Sequence, residues 1–243
     1  MVIHNKTAVI TGAGRRLGLF VVERLIEAGW HIHVLTRKKT SGLIGITSER
    51  LHIHELGVYT TKNVMRAIDA IRNKQQGHPI HLLLNNASIF ENDAQVAHKG
   101  VSSYEAMIFV HMIMPNLLVE GLLDELFDES APGNVISITD IYATNPHPAY
   151  SLYCSAKAGL ESLSYGFAKK YAPGIRANAI QPGPIKFLPE HDAVHQKKVL
   201  AETLLPYEGG FLPMYQTIEF VLDNGYLTGS VIKVDGGRSL VRG

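Results

Sequence analysis

The sequence predicts a doubly wound α/β fold, a parallel sheet with helices on both faces, formed as a single domain over residues 1–243. Three observations predict it. Short β-rich runs alternate with longer stretches whose apolar residues recur at helical spacing, the pattern of strand–helix–strand units. The run IHLLLNN (80–86) is almost continuously apolar, as in a strand covered on both faces. A glycine-rich turn, TGAGRRLG (11–18), stands where the first strand would pass into the first helix.

The elements follow in order. TAVIT (7–11) reads as a strand closed by Gly12, Gly14 and Gly18. Residues 17–29 form an amphipathic helix that stops at Gly29, a glycine suited to a helix C-terminus. HIHVLT (31–36) and RLHIHEL (50–56) are strands, and 63–74 is an amphipathic helix. After the strand at 80–86, one long helical stretch is predicted over 103–127, then a strand at 133–139 and a long helix at 153–172. IRANAIQPG (175–183) is a strand running into a Pro/Gly turn, and 190–221 is helical in pieces. SVIKVDGG (230–237) is the last strand. Residues 186–214, rich in turn formers and mixed in polarity, suit a lid over a substrate.

Composition excludes several classes. Hydrophobic residues make up 46% of the chain, enough for a sizeable core. Lys and Arg (23) nearly balance Asp and Glu (22), so no global field favours nucleic acid or an anionic membrane. The lone cysteine, Cys154, cannot form an internal disulfide, which fits a reducing compartment. No basic head with an apolar stretch opens the chain, and no apolar run reaches the ~18 residues of a spanning helix. A soluble, cytoplasmic protein is expected.

The glycine turn has a physical reading. Gly12 permits the tight turn, Gly14 lets the backbone approach a pyrophosphate, and Gly18 lets the helix pack closely on the sheet. The helix N-terminus offers unpaired N–H groups to phosphate. This is the Rossmann-type arrangement for a dinucleotide. The second strand ends LTRKK, without the acid that binds the ribose 2′-hydroxyl of NAD. Arg37 and Lys38, with Arg15 or Arg16, can instead neutralise a 2′-phosphate, which points to NADPH over a merely solvated basic cluster.

With NNAS (85–88), Tyr153-x-x-x-Lys157, QPGP (181–184) and TGSVIKVDGG (228–237), these features resemble the short-chain dehydrogenase/reductase family almost end to end. Within that family, TGAGRRLG, NNASIF, TDIYA, EHD (190–192) and VDGGRSL resemble the pteridine reductases, bacterial dihydromonapterin reductases among them. Those enzymes reduce dihydropterins, and often dihydrofolate, with NADPH. The resemblance implies cofactor contacts from Leu17, Thr36, Leu56, Asn86, Ala87, Ser88, Pro182, Gly183 and Ile185 besides the glycine turn. It also implies a homo-oligomer, by family habit a tetramer.

Tyr142, Tyr150 and Tyr153 compete for the catalytic role, and only Tyr153 has a lysine four residues on, on the same helix face. An ammonium ~5 Å away at an effective dielectric of ~20 favours the phenolate by ~3 kcal/mol, or ~2 pKa units. Most family members carry a serine thirteen residues before the tyrosine; here that position is Asp140. Ser137 and Thr139 cannot stand in for it, because strand side chains alternate faces. An ionised aspartate only accepts hydrogen bonds, so it suits a substrate presenting N–H groups, as a pterin does. The plain alternative is that Asp140 caps a turn.

Phe90 matches the aromatic that stacks on the pterin in pteridine reductases, with an ordinary loop phenylalanine as the alternative. Arg16 is expected to reach both phosphate and pterin, and Ser88 lies on the substrate side as well. Two positions depart from the family: His111 stands where asparagine is usual, and Glu55 where an aspartate usually meets the adenine. The two HIH runs (31–33, 52–54) place histidine pairs on strand faces, but without an acid or cysteine at ligand spacing no metal is expected. The expectation is therefore reduction of a pterin C=N bond, with Asp140, Tyr153 and Lys157 catalytic and Arg16, Ser88, Phe90, Asp140 and Tyr153 at the substrate. A carbonyl reductase of the same family and a non-catalytic NADPH-binding regulator are the alternatives.

Overall fold

Seven strands form one parallel sheet: β1 (Thr7–Thr11), β2 (His31–Thr36), β3 (Leu51–Glu55), β4 (Leu82–Asn85), β5 (Gly133–Ile138), β6 (Ile175–Pro182) and β7 (Val231–Val234). Their order is β3-β2-β1-β4-β5-β6-β7. This computed structural model describes residues 6–188 and 191–241; Glu190 of the EHD motif and part of the segment 186–214 lie outside them. The helices are α1 (Arg16–Glu27), α2 (Ser41–Ile44), α3 (Thr61–Gln75), α4 (Asp93–Lys99), α5 (Val101–Ile108), α6 (Met114–Gly121), α7 (Leu123–Leu126), α8 (Ser151–Tyr171), α9 (Ala193–Ala201) and α10 (Leu212–Asp223).

Strand periodicity builds two core layers. Val9, Leu83, Val135 and Ala177 face one side and pack with α3, α6 and α8. Their neighbours Ala8, Ile10, Leu82, Leu84, Ile136 and Ile180 face the other side and pack with α1 and α10. Both faces of β1, β4, β5 and β6 are buried, while the edge strands β3 and β7 are largely half-buried. Helix α1 ends as the sequence predicts: Gly29 takes φ 85, its N–H bonds Ile26 O, and Trp30 N–H bonds Leu25 O.

The helix predicted over 103–127 is not one helix. It is preceded by α4, whose Asn92 and Gln95 form a capping box, and Gly100 at φ 79 separates α4 from α5. A π turn, Phe109–Ile113, then links α5 to α6, with Met114 N–H reaching Phe109 O. Pro115 has no N–H to give the carbonyl one turn back, so the regular ladder is interrupted at this point. The last strand is also shorter than predicted, because Gly236 and Gly237 take positive φ and turn the chain.

The chain begins at the middle of the sheet, runs outward to β3, and crosses back to β4. Order therefore reverses between β1 and β4, and ligands of such sheets bind in the crevice at the carboxyl ends there. The predicted site residues follow the carboxyl ends of the strands: Gly12 after β1, Arg37 after β2, Asn86 after β4, Asp140 after β5 and Gly183 after β6.

Candidate active site

The glycine turn leaves a cradle that side chains would fill. A Cβ on Gly12, which sits at φ +67, would lie 2.5 Å from Ala87 Cα. One on Gly18 would lie 2.5 Å from the Gly12 carbonyl oxygen. Thr11, missed by the sequence reading, locks the two loops together: its hydroxyl donates to Leu84 O and accepts from the N–H groups of Asn86 and Ala87. Asn86 returns its amide N–H groups to Thr11 O and Gly12 O. Thr40 donates to Gly14 O and caps α2, drawing the loop after β2 up to the turn.

Helix α1 begins with no side-chain cap and no acid in its first turn, so its N–H groups are open to an anion. Arg15, Arg37 and Lys38 are exposed around it. Thr36 is buried and bonds Lys38 O, and Glu55 is exposed and accepts from Lys39 N–H. Leu17, Leu56 and Ala87 are buried beneath them. Arg16, a non-glycine residue at φ 55, donates to the carbonyls of Lys186 and Phe187. It thus ties the glycine turn to the segment after β6, where Ile185 O in turn accepts from Gly210 N–H. A cradle of this shape, with open N–H groups and basic rims, fits a nicotinamide dinucleotide.

The second part of the site lies after β5. Asp140 accepts from Tyr142 N–H with Oδ1 and from the Tyr153 hydroxyl with Oδ2, at 2.9 and 2.8 Å. It is therefore both a turn cap and a partner of Tyr153, so the two readings of Asp140 coexist. Tyr153 and Lys157 share a face of α8 and are 4% and 2% exposed. Asp93 fixes the start of that helix by accepting from the N–H groups of Ser151 and Leu152. Lys157 Nζ donates to Ile138 O at 2.8 Å and sits 5.8 Å from the Tyr153 ring centroid.

The pull expected of Lys157 on the Tyr153 phenol is outweighed by its surroundings. Burial, reinforced by the Asp140 charge, pushes the Tyr153 phenol well above its usual 10, so it is held protonated and not as phenolate. The lysine's pull reaches Asp140 instead, whose own pKa burial raises. Burial brings Lys157 down to about 8.

Around this pair, Phe90 lies flat on Tyr150 (4.7 Å, 11°) and edge-on to Tyr153 (4.8 Å, 83°), and is 47% exposed. Ser88 is exposed, and its hydroxyl lies 3.0 Å from Nε2 of the fully buried His111. Gly183 meets the tail, where an added Cβ would lie 2.7 Å from Asp235 Cα, and Pro182 ends β6. From the tail, Arg238 bonds Glu202 and Val199 O at the end of α9 and reaches Tyr142. Tyr142, Tyr150, His111 and Arg238 were not among the predicted site residues. In the sequence His111 was marked only as standing in the family's asparagine position, and Tyr142 and Tyr150 only as tyrosines without a lysine four residues on; the folded sheet brings His111 beside Tyr153 and Arg238 beside Tyr142. Among the described residues, no three His, Cys, Asp or Glu side chains are placed to hold a metal ion.

A dinucleotide cradle and a tyrosine–lysine pair at the switch point of a doubly wound sheet define an oxidoreductase that uses a nicotinamide cofactor. The chain belongs to the short-chain dehydrogenase family, whose profile matches residues 6–197. It is 27% identical over 237 residues to a dihydromonapterin reductase of Enterobacter sp. (strain 638), covering 97% of this chain and 98% of that protein. It is 30% identical over 248 residues to the protein FixR of Bradyrhizobium diazoefficiens, covering 97% and 87%. An apo SCOR enzyme from Clostridium thermocellum has the same fold, with TM-score 0.84 at 22% identity over 97% of this chain and 93% of that one.

Proposed function

We propose that the chain acts as one NADPH-dependent reductase domain that converts a dihydropterin, or dihydrofolate, to its tetrahydro form. The observation that carries this reading is Asp140. A carboxylate beside the tyrosine hydroxyl accepts hydrogen bonds and repels a carbonyl oxygen, so it favours a substrate that presents N–H groups. Phe90, with nearly half its surface exposed and one face on Tyr150, offers a planar ligand a stacking partner. Likeness to dihydromonapterin reductases along almost the whole chain supports the same substrate class.

Gly12, Gly14, Gly18 and the first N–H groups of α1 would hold the pyrophosphate, with Asn86, Ala87, Pro182 and Gly183 near the nicotinamide end. Arg37, Lys38 and Arg15 favour a 2′-phosphate, hence NADPH. The cofactor supplies the hydride. Tyr153 keeps its proton at the hydroxyl until the substrate nitrogen needs one, because burial holds the phenol neutral. Lys157 places a positive charge beside the tyrosine and offers donors to a ribose. Asp140 orients the substrate by its amino and ring N–H groups. In the cell we expect a cytoplasmic tetramer, following the family's habit.

The test is NADPH and NADH oxidation measured side by side with dihydromonapterin, dihydrofolate and an acetoacetyl thioester. NADPH-dependent turnover of a pterin is expected; turnover of the thioester alone would replace this reading with a carbonyl reductase. Asp140→Ser should lower pterin turnover far more than it weakens NADPH binding. Wild-type pterin rates in that variant would remove the orienting role.

A further inference from the structure

His111 takes no part in the chemistry above, yet it is fully buried against the catalytic tyrosine, its ring edge-on to Tyr153 at 5.8 Å. It sits in the π turn Phe109–Ile113, where the interrupted helical ladder lets its ring reach in two directions. Nδ1 lies 2.9 Å from Met107 O, and Nε2 lies 3.0 Å from Ser88 Oγ.

The donor and acceptor roles follow from elementary constraints. A carbonyl oxygen can only accept, so Nδ1 must carry a hydrogen. Burial, with the Lys157 ammonium nearby, pushes the ring's pKa well below 6.5, so the imidazole is neutral and Nε2 is bare. Ser88 must therefore donate its only hydrogen to His111. What the exposed Ser88 oxygen then shows the pocket is lone pairs alone. The Tyr153 hydroxyl gives its own hydrogen to Asp140 at 2.8 Å, so its oxygen competes with the His111 ring for the Ser88 hydrogen, and the ring holds that hydrogen at 3.0 Å.

We infer that His111 is a positioning residue that acts through Ser88: by fixing the direction of that hydroxyl it makes the polar wall of Ser88 and Asp140 an acceptor surface, selecting substrates that present N–H groups over those presenting a carbonyl oxygen. The substrate preference rests on the pterin-reductase reading; the hydroxyl direction does not. A free serine hydroxyl would rotate and donate to whichever acceptor entered. With its hydrogen committed to a buried ring it cannot, and a carbonyl oxygen placed there would face two acceptors.

Two measurements test this separately. First, 15N NMR of histidine in the wild-type protein at pH 7 should show the His111 ring neutral, with Nδ1 protonated and Nε2 bare. A protonated ring or an Nε2–H tautomer overturns the inference whatever the substrate proves to be. Second, kinetics with NADPH and dihydromonapterin should compare His111→Phe, His111→Gln, Ser88→Ala and the Ser88→Ala/His111→Phe pair. His111→Phe should lose about tenfold in kcat/KM, chiefly through KM, as expected for one misdirected hydrogen bond. His111→Gln, which can still accept from Ser88, should remain within about threefold of wild type. In the Ser88→Ala background, His111→Phe should cost nothing more. Losses that multiply in the double variant, or a Gln variant as poor as Phe, would show a merely structural role and overturn the inference. A wild-type protein without pterin turnover would defeat the pterin reading alone, and the NMR result would still decide His111.

Discussion

Falling pH should destabilise this protein through its buried histidines. His33 and His52 are paired across β2 and β3, and His54 reaches back so that its Nε2 lies 2.9 Å from His33 Nδ1. The His33 and His54 rings stack 5.2 Å apart. Burial and neighbouring rings bring His33 down to about 3 and His54 to about 4 from 6.5. Folded values below the unfolded one mean that the unfolded chain binds more protons between pH 6.5 and the folded values. Stability is therefore full above pH 6.5 and falls as the pH drops through that window. Linkage gives about 2 kcal/mol per ring at pH 5, or about 4 kcal/mol for the pair, reduced by partial solvent screening to about 3 kcal/mol. The first proton can be kept within the N···N bond, but a second would set N–H against N–H. His111, buried and held neutral, adds a third ring of the same sign. A loss of this size is a large part of the 5–15 kcal/mol typical of a folded domain. Urea unfolding at pH 8, 7, 6 and 5 should show nearly constant stability above pH 7 and a steep fall below 6.5. His33→Leu with His54→Gln should flatten that fall by up to about two protons' worth, about 1.4 kcal/mol per pH unit for each proton. Equal stability at pH 5 and 7, or an unchanged slope in the double variant, would refute the reasoning.

Three further outcomes are expected. Gly12→Ala places a methyl 2.5 Å from Ala87 Cα at a positive φ, so it should lower NADPH affinity by at least about tenfold and lower the melting temperature, read by cofactor fluorescence and thermal unfolding. Arg176 donates from within the sheet to the carbonyls of Val221, Leu222, Asn224 and Leu227 at the end of α10, so Arg176→Met should cost about 3 kcal/mol in urea unfolding while leaving NADPH affinity intact. Burial brings Lys157 down to about 8, so kcat/KM should fall as the pH rises through that value and the ammonium beside Tyr153 is lost; a kcat/KM profile flat to pH 10 would remove the lysine from proton handling.

The sheet was legible because its signal is local and repeated. Each central strand is apolar on both faces, and each change of period from two to 3.6 marks a new element. The long helix before β5 was misread because the apolar pattern runs on through Gly100 and the π turn, where backbone bonding changes and side-chain periodicity hardly does. The capping box at Asn92 and Gln95 was the available signal for the helix that begins earlier. At the candidate site, placement was readable for residues tied by spacing or motif: the glycine turn after β1, Tyr153 with Lys157 on one face of α8, and Asp140 at the end of its strand. Those that join across the fold were not, since nothing in their spacing links Thr11 to Ala87, Phe90 to Tyr150 or Arg238 to Tyr142. The same limit explains why the direction of the Tyr153 shift was not readable. A lysine one turn away along a helix is visible in sequence, but the burial that sets the dielectric around a phenol is not. Low polarity around Tyr153 disfavours its anion, and the Asp140 charge adds to that in the same direction. A neutral phenol hydrogen-bonded to a carboxylate stores its proton ready to give, which suits reduction better than the anion would. In the proposed reaction the acid at position 140 would act on both partners: it would offer acceptors to a substrate's N–H groups, and its hydrogen bond from Tyr153 would keep the tyrosine a donor.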